Sequence, residues 1–328
     1  MKFTTWAGWG AGLLAGVLGL AAAEGVPKLT EPAAATTPAP VQAAVPALDS
    51  YVQEIQAWQA LRAKNLTKPD GWLTLIGLHF LKTGENTVGS AADNSVVLAK
   101  GPAHLGAFTL SPNGMVKAAF NPGNEVKVED EPVLAADLRD DTHGKPTKVT
   151  VGTVSLFVID RDGKKALRVK DSEAETRTHF LGLNYFPIDP AWRIEAQWVP
   201  FEKPREVPIR NILGHVAPAM ILGKAVFTRD GRTYELLPIQ EDPDGPLFFV
   251  ISDQTSGKET YAAARFLYAA QPDENGKVIL DFNRAQNPPC AFTPYATCPL
   301  PPKENQLPLA ITAGEKNYRG HSGHGVSP

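Results

Sequence analysis

Between Tyr51 and Asn65 the apolar side chains Ile55, Trp58 and Leu61 stand three residues apart, with Leu66 beyond. This spacing follows the turn of an α-helix and predicts a short amphipathic one. Lys68-Pro69-Asp70-Gly71 then supplies residues that stop it. Thereafter the period falls mostly to two. Val154, Leu156 and Val158 alternate with their neighbours, Asp162-Gly163 marks a tight turn, and Ala166 to Val169 returns as the second arm of a hairpin. The same device recurs at Val226 to Thr228, Asp230-Gly231 and Thr233 to Leu237. An arginine precedes each turn aspartate, Arg161 and Arg229, which hairpin chemistry explains more simply than an internal repeat. Further strands are predicted at Ile194 to Val199, Leu247 to Ile251, Tyr261 to Tyr268 and Lys277 to Phe282. The chain's 29 prolines and 28 glycines keep the β-prone runs short. The pattern predicts an all-β or β-rich α+β fold: many short antiparallel strands in a sandwich or barrel-like body, with a short N-terminal amphipathic helix. A parallel α/β sheet would need repeated crossover helices instead.

The first residues carry another pattern. Lys2, the apolar segment Trp6 to Leu20 and the small residues Ala21-Ala22-Ala23 predict a signal peptide over 1–23, hence a bacterial periplasmic or secreted protein. The apolar run barely reaches the roughly 20 residues needed to cross a bilayer. No cysteine follows it to carry a lipid, and no later run is long enough to span, so no transmembrane anchor is expected after cleavage. Residues 24–48, rich in alanine and proline, read as a flexible tether. Residues 49–319 remain for a single β-rich globular domain, large enough to divide into two subdomains. The glycine-rich end, 320–328, reads as a disordered tail.

The formal charge of −3 and the lack of basic clusters argue against nucleic acid as a partner. The chemistry concentrates instead between Asp281 and Tyr318, which includes both cysteines. Cys290 and Cys298 have the even number and close spacing of a structural disulfide in an oxidising compartment. Closing so short a loop would contribute roughly 2–3 kcal/mol by restricting the unfolded chain. Asp281, Asn283, Arg284 and Asn287 occupy a strand end and the turn after it, where polar groups either converge on a pocket or bond the irregular prolyl backbone. Glu315 and Tyr318 belong to a short segment that could return over the same place. Arg177 and Arg265 are candidates to grip an anion. The histidines at 79, 104, 143, 179 and 215 are scattered singly, and His321 and His324 fall in the tail; none forms HxH or HExxH, so no metal and no cofactor is expected. Serine-hydrolase elbows, P-loops and dinucleotide fingerprints are missing too. No catalytic residue and no oligomeric state can be named from the sequence. Two functions fit: a periplasmic binding module for a small polar or anionic molecule, which is preferred, or a cofactor-independent hydrolase. In the second, Asp281 or Glu315 would serve as acid or base, and Arg177 or Arg284 would hold negative charge.

The stretches Gly71 to Ser90, Arg168 to Asp189, Asp253 to Tyr268, Asp281 to Pro302 and Ala313 to Tyr318 resemble the bacterial family catalogued as domain of unknown function 1684. The resemblance brings no catalytic residues onto these positions.

Overall fold

The computed structural model describes residues 45–239 and 245–320. The expected leader, most of the tether and the tail lie outside those residues. Helix α1 spans Val45–Leu66 and so begins inside the expected tether. Its apolar stripe departs from the expected one: Ile55 and Leu66 are buried and Trp58 is half-buried, but Leu61 is 53% exposed. Polar contacts, described below, do much of the docking. No described helix is long and apolar enough to cross a membrane.

After α1 the chain builds two sheets around one core. A six-stranded sheet runs in the order Leu75–Phe80, Lys164–Asp171, Val154–Arg161, Val149–Val151, Lys127–Val128, Glu131–Pro132. A five-stranded sheet is ordered Val96–Val97, Gly84–Gly89, Gly106–Leu110, Val116–Phe120, Ala135–Leu138. Inward residues of both, among them Val88, Phe108, Val116, Leu156, Val158, Leu167 and Val169, form one hydrophobic cluster, which makes the pair a sandwich. The predicted hairpin closes as the Asp-Gly turn requires, with Arg161 opposite Lys164 and positive φ at Asp162 (57°) and Gly163 (76°). Because side chains alternate across a strand, Leu167 and Val169 entering the core leave Arg168 and Lys170 on the opposite face.

Thr297 of the later chain reaches that face and bonds Arg161 and Arg168. A four-stranded sheet (Arg232–Leu236, Val216–Arg229, Arg193–Arg210, Lys277–Asp281) and the pair Leu247–Ile251 and Arg265–Ala269 enclose a second core containing Phe227, Phe249, Leu267, Leu280 and Phe282. The predicted strand at Tyr261 starts later, at Arg265. Thr255 and Thr260 bond each other through their hydroxyls at 2.9 Å, and the Thr255 carbonyl accepts the amides of Lys258, Glu259 and Thr260. This local turn outcompetes ladder pairing for the residues ahead of the strand. A third cluster joins the two halves: Leu66, Leu73, Phe266, Cys290, Phe292 and Cys298. The fold is therefore β-rich, built of several mainly antiparallel sheets with an N-terminal helix.

At the rim of the sandwich, Lys165 donates to Asp140 (2.5 Å) and Asp160 (2.7 Å), its side chain 11% exposed. Burial pushes the Asp140 carboxyl up, but the Lys165 ammonium and the Thr142 hydroxyl and amide outweigh it and hold Asp140 well below the ordinary carboxylate range. A carboxylate depressed in the fold stabilises above its unfolded value, near 4, and that stability is lost as pH falls toward the folded value. Asp140→Asn is accordingly expected to cost about 2 kcal/mol at neutral pH by taking one of two carboxylates from a nearly buried ammonium that keeps Asp160. Urea unfolding should also find the variant's midpoint less sensitive to acid below about pH 4 than the wild type's.

Candidate functional site

The turn after Lys277–Asp281 gathers most of the residues the sequence singled out, and it gathers them around α1. Asp281 Oδ1 accepts the Asn283 amide (3.1 Å) and the Tyr51 hydroxyl (2.9 Å). Burial and the Asp281 carboxylate push the Tyr51 phenol above its usual range. Asn283 spends its carboxamide on Asp189, donating to its carbonyl (2.8 Å) and accepting from its amide (3.0 Å). Arg284 bridges Asp281 (3.4 Å) and Glu54 of α1. Glu315 is wholly buried; its Oε1 accepts from Arg62 Nε (3.0 Å) and its Oε2 from the Asn287 amide (2.8 Å). Arg62 reaches on to the Asn287 carbonyl (2.8 Å), and the Asn287 side chain donates to the Lys316 carbonyl (2.8 Å). Asp281, Asn283, Arg284, Asn287 and Glu315 thus form one seam, in which protein groups occupy both carboxylates.

The residues that sequence reasoning missed here are Tyr51, Glu54 and Arg62. Their signal was present: with Trp58 they stand at intervals of three, four and four, one face of a helix. The other candidates lie apart. Tyr318 packs its ring against Phe180 and Phe292, with centroids 5.7 and 5.0 Å away. Arg177 binds the Thr67 and Ser172 carbonyls at 2.8 and 2.7 Å and fastens the end of α1. Arg265 is 1% exposed, with Asp253 at 2.7 Å and the Ile311 and Ala313 carbonyls as further acceptors. Burial lowers its pKa and the Asp253 carboxylate opposes that shift.

The cysteine segment lies over the outer face of the six-stranded sheet. Cys290 and Cys298 are both buried, with their sulfurs unlinked. Each backbone amide nevertheless points at the other's sulfur, at 3.2 and 3.3 Å. The thiol contact itself, followed by burial as an opposing influence, leaves Cys290 below the usual thiol range; burial chiefly pushes Cys298 well above it.

Beside them stands a residue of another kind. Arg168 is 5% exposed and has no carboxylate within ion-pair distance among the described residues. Its Nε has no partner, and an Nη2 donates at 3.5 Å to Thr297 Oγ1. The Trp72 ring lies 5.5 Å from the guanidinium carbon. Burial and the neighbouring Arg161 lower its pKa to about 10, which still leaves it charged at neutral pH. Arg161, partly exposed, donates to the same Thr297 hydroxyl at 3.2 Å and holds Asp141 at 2.7 Å. Two guanidinium groups therefore converge on one hydroxyl with a single carboxylate between them.

A separate cleft of about 420 Å³ is lined by Phe80, Lys164, Lys165 and His215, but Lys165 is already bound by its two aspartates. Among the described residues no group of three or more His, Cys, Asp or Glu side chains could hold a metal ion.

Fold and seam define a β-rich protein whose C-terminal half carries a cysteine segment and a returning segment that brings in Glu315. Residues 178–316 match the family described as protein of unknown function (DUF1684), and the chain contains that domain. The match takes in the cysteine segment and Glu315 but leaves out α1, Arg161, Arg168 and the stretch Gly71 to Ser90. Among solved structures, the chain is similar to the uncharacterized protein from gene locus rrnAC0354 of Haloarcula marismortui, determined in solution by NMR. Identity is 30%, covering 44% of this chain and 81% of that one, with a TM-score of 0.38. A comparison with curated proteins finds no match.

The Arg62 and Arg284 pairs should separate on mutation. Arg62→Ala strands a wholly buried carboxylate and is expected to cost about 3 kcal/mol or more. Arg284→Ala loses Glu54, which is 62% exposed, and a 3.4 Å contact with Asp281, which keeps the Tyr51 hydroxyl and the Asn283 amide, and should cost no more than about 1 kcal/mol. Urea unfolding of both variants checks the order, and a reversed order would contradict the assignment of Glu315 as the anchor of α1.

Proposed function

We propose that the protein is an exported, periplasmic or secreted binding module that takes a small polar molecule at the seam between the six-stranded sheet and the cysteine segment. The observation that carries this reading is Arg168: a buried charge with no carboxylate within ion-pair distance among the described residues, beside a half-exposed arginine and hydroxyl at the rim. A cation–π contact contributes at most a few kcal/mol, whereas burying an ion costs several. A site completed by a ligand accounts for the difference. The alternative, a hydrolase working through Asp281 or Glu315, draws less support, since Tyr51 and Arg284 engage the first carboxylate and Arg62 the second. The seam at Asp281 to Asn287 serves in this reading as the brace that fixes the cysteine segment against α1.

Within the same reading, Cys290 and Cys298 are joined in the exported protein. Their reciprocal amide-to-sulfur contacts support this, because the backbones are already close enough that pairing needs little movement. A disulfide would hold Thr297, one residue away, at a fixed height over Arg168.

Two measurements test the proposal. Native mass spectrometry of protein from the exporting host should reveal a mature chain starting at Glu24 and carrying a small molecule; apo protein with Met1 intact would contradict it. Peptide mapping without reductant should recover Cys290 linked to Cys298, and two alkylated thiols would contradict the link.

A further inference from the structure

We propose that the molecule held at this seam is an oxyanion, a carboxylate, sulfate or phosphate group, seated between Arg168, Arg161 and the Thr297 hydroxyl. The inference rests on the binding-module reading and names its ligand class. Three observations carry it.

The first is the contrast between two buried arginines. Arg265, 1% exposed, meets a carboxylate at 2.7 Å and two carbonyls, so its charge is answered, although its Nε, like that of Arg168, has no partner among the described residues. Arg168, 5% exposed, meets an aromatic ring and one distant hydroxyl. A guanidinium cannot shed its proton in a protein, so a countercharge must come from elsewhere.

The second is the like charge next to it. Arg161 and Arg168 approach the same oxygen, which brings two cations together where only Asp141 is near, and Asp141 is taken by Arg161. Lys170 adds a third cation on the same strand face, 6.0 Å from the Trp72 ring, its ammonium donating to the Asp70 carbonyl at 2.5 Å. An anion between two guanidinium forks turns this repulsion into attraction.

The third is the hydroxyl. Arginine only donates, so Thr297 Oγ1 accepts from both arginines, and its own proton finds no acceptor among the described residues. It is left to donate to an oxygen placed between them. Arg161 and Thr297, both half-buried, form the rim, and Arg168 forms the floor. The site therefore presents converging donors and an unanswered positive charge, which selects a small oxyanion over a neutral polar molecule.

The test is thermal unfolding of the full mature protein against sodium sulfate, phosphate or acetate, with ionic strength balanced by chloride. Sulfate and phosphate raise the midpoint of any protein through exclusion from its surface, but that rise is not saturable. Binding adds a saturable part. The wild type should give a saturable rise with at least one of the three, and the response pattern separates a carboxylate site from a tetrahedral-anion site. Arg168→Met should lose the saturable part, keep the other, and start from a higher midpoint because an uncompensated buried charge has gone. Thr297→Val, which leaves both arginines, should weaken half-saturation roughly tenfold, as expected for loss of one hydrogen bond to a charged group, and keeps the test open if Arg168→Met does not fold. Identical saturable curves in wild type and Thr297→Val, or no saturable response in the wild type to any of the three, would overturn the proposal. A neutral molecule copurifying with the wild type and with Arg168→Met alike would overturn the oxyanion assignment while leaving the binding module intact.

Discussion

A charge taken out of water must meet an opposite charge or a full set of donors and acceptors, and that requirement organises this molecule. The Arg62–Glu315 pair is its strongest expression. Glu315 lies near the end of the chain and is wholly buried, so helix α1, more than 200 residues away in sequence, must come to it with Arg62. Once Arg62 is in place, its second nitrogen fixes the Asn287 carbonyl, and the Asn287 amide returns to Glu315. One ion pair thereby locks helix, prolyl turn and the Glu315 segment together. Few apolar residues of α1 are buried, which is why the helix depends on this pair and on Tyr51 rather than on a broad hydrophobic face.

The same requirement sorts the other buried arginine side chains. Arg265 is answered by Asp253 and carbonyls and braces the Ile311 to Glu315 segment from beneath. Arg168 is not answered. It sits where the two halves of the molecule meet, on the sheet face covered by the cysteine segment, so what completes it also bears on how firmly those halves are joined.

Much of the fold could be read from the chain, and the reasons for the gaps are physical. The Asp-Gly turns at 162 and 230 announced hairpins that close there, and Leu247 to Ile251 is a strand with the bounds its apolar run suggests. The strands between Gly84 and Leu138 escaped, because runs of two to six residues repeat a period too few times. Asn86 shows a second cause. It points into the first core but satisfies its amide on the Lys82, Gly84 and Phe108 carbonyls, so a polar letter stands where the pattern wants an apolar one. At the seam, the concentration of polar residues from Asp281 to Glu315 was legible. That α1 would answer them was not, since pairing across the chain leaves no trace in local spacing. Arg168 alternates with Leu167 and Val169 and therefore reads as a solvated face; only tertiary packing reveals that the face is covered.

The proposed oxyanion would lie between Arg168, Arg161 and Thr297, on the sheet face under the cysteine segment. Anomalous diffraction from crystals of the mature protein soaked in selenate tests it most directly. A selenium peak is expected within hydrogen-bonding reach of the Arg168 and Arg161 guanidinium groups and Thr297 Oγ1, displaced when unlabelled sulfate is added in excess. Well-ordered density for all three side chains with no peak between them would contradict it.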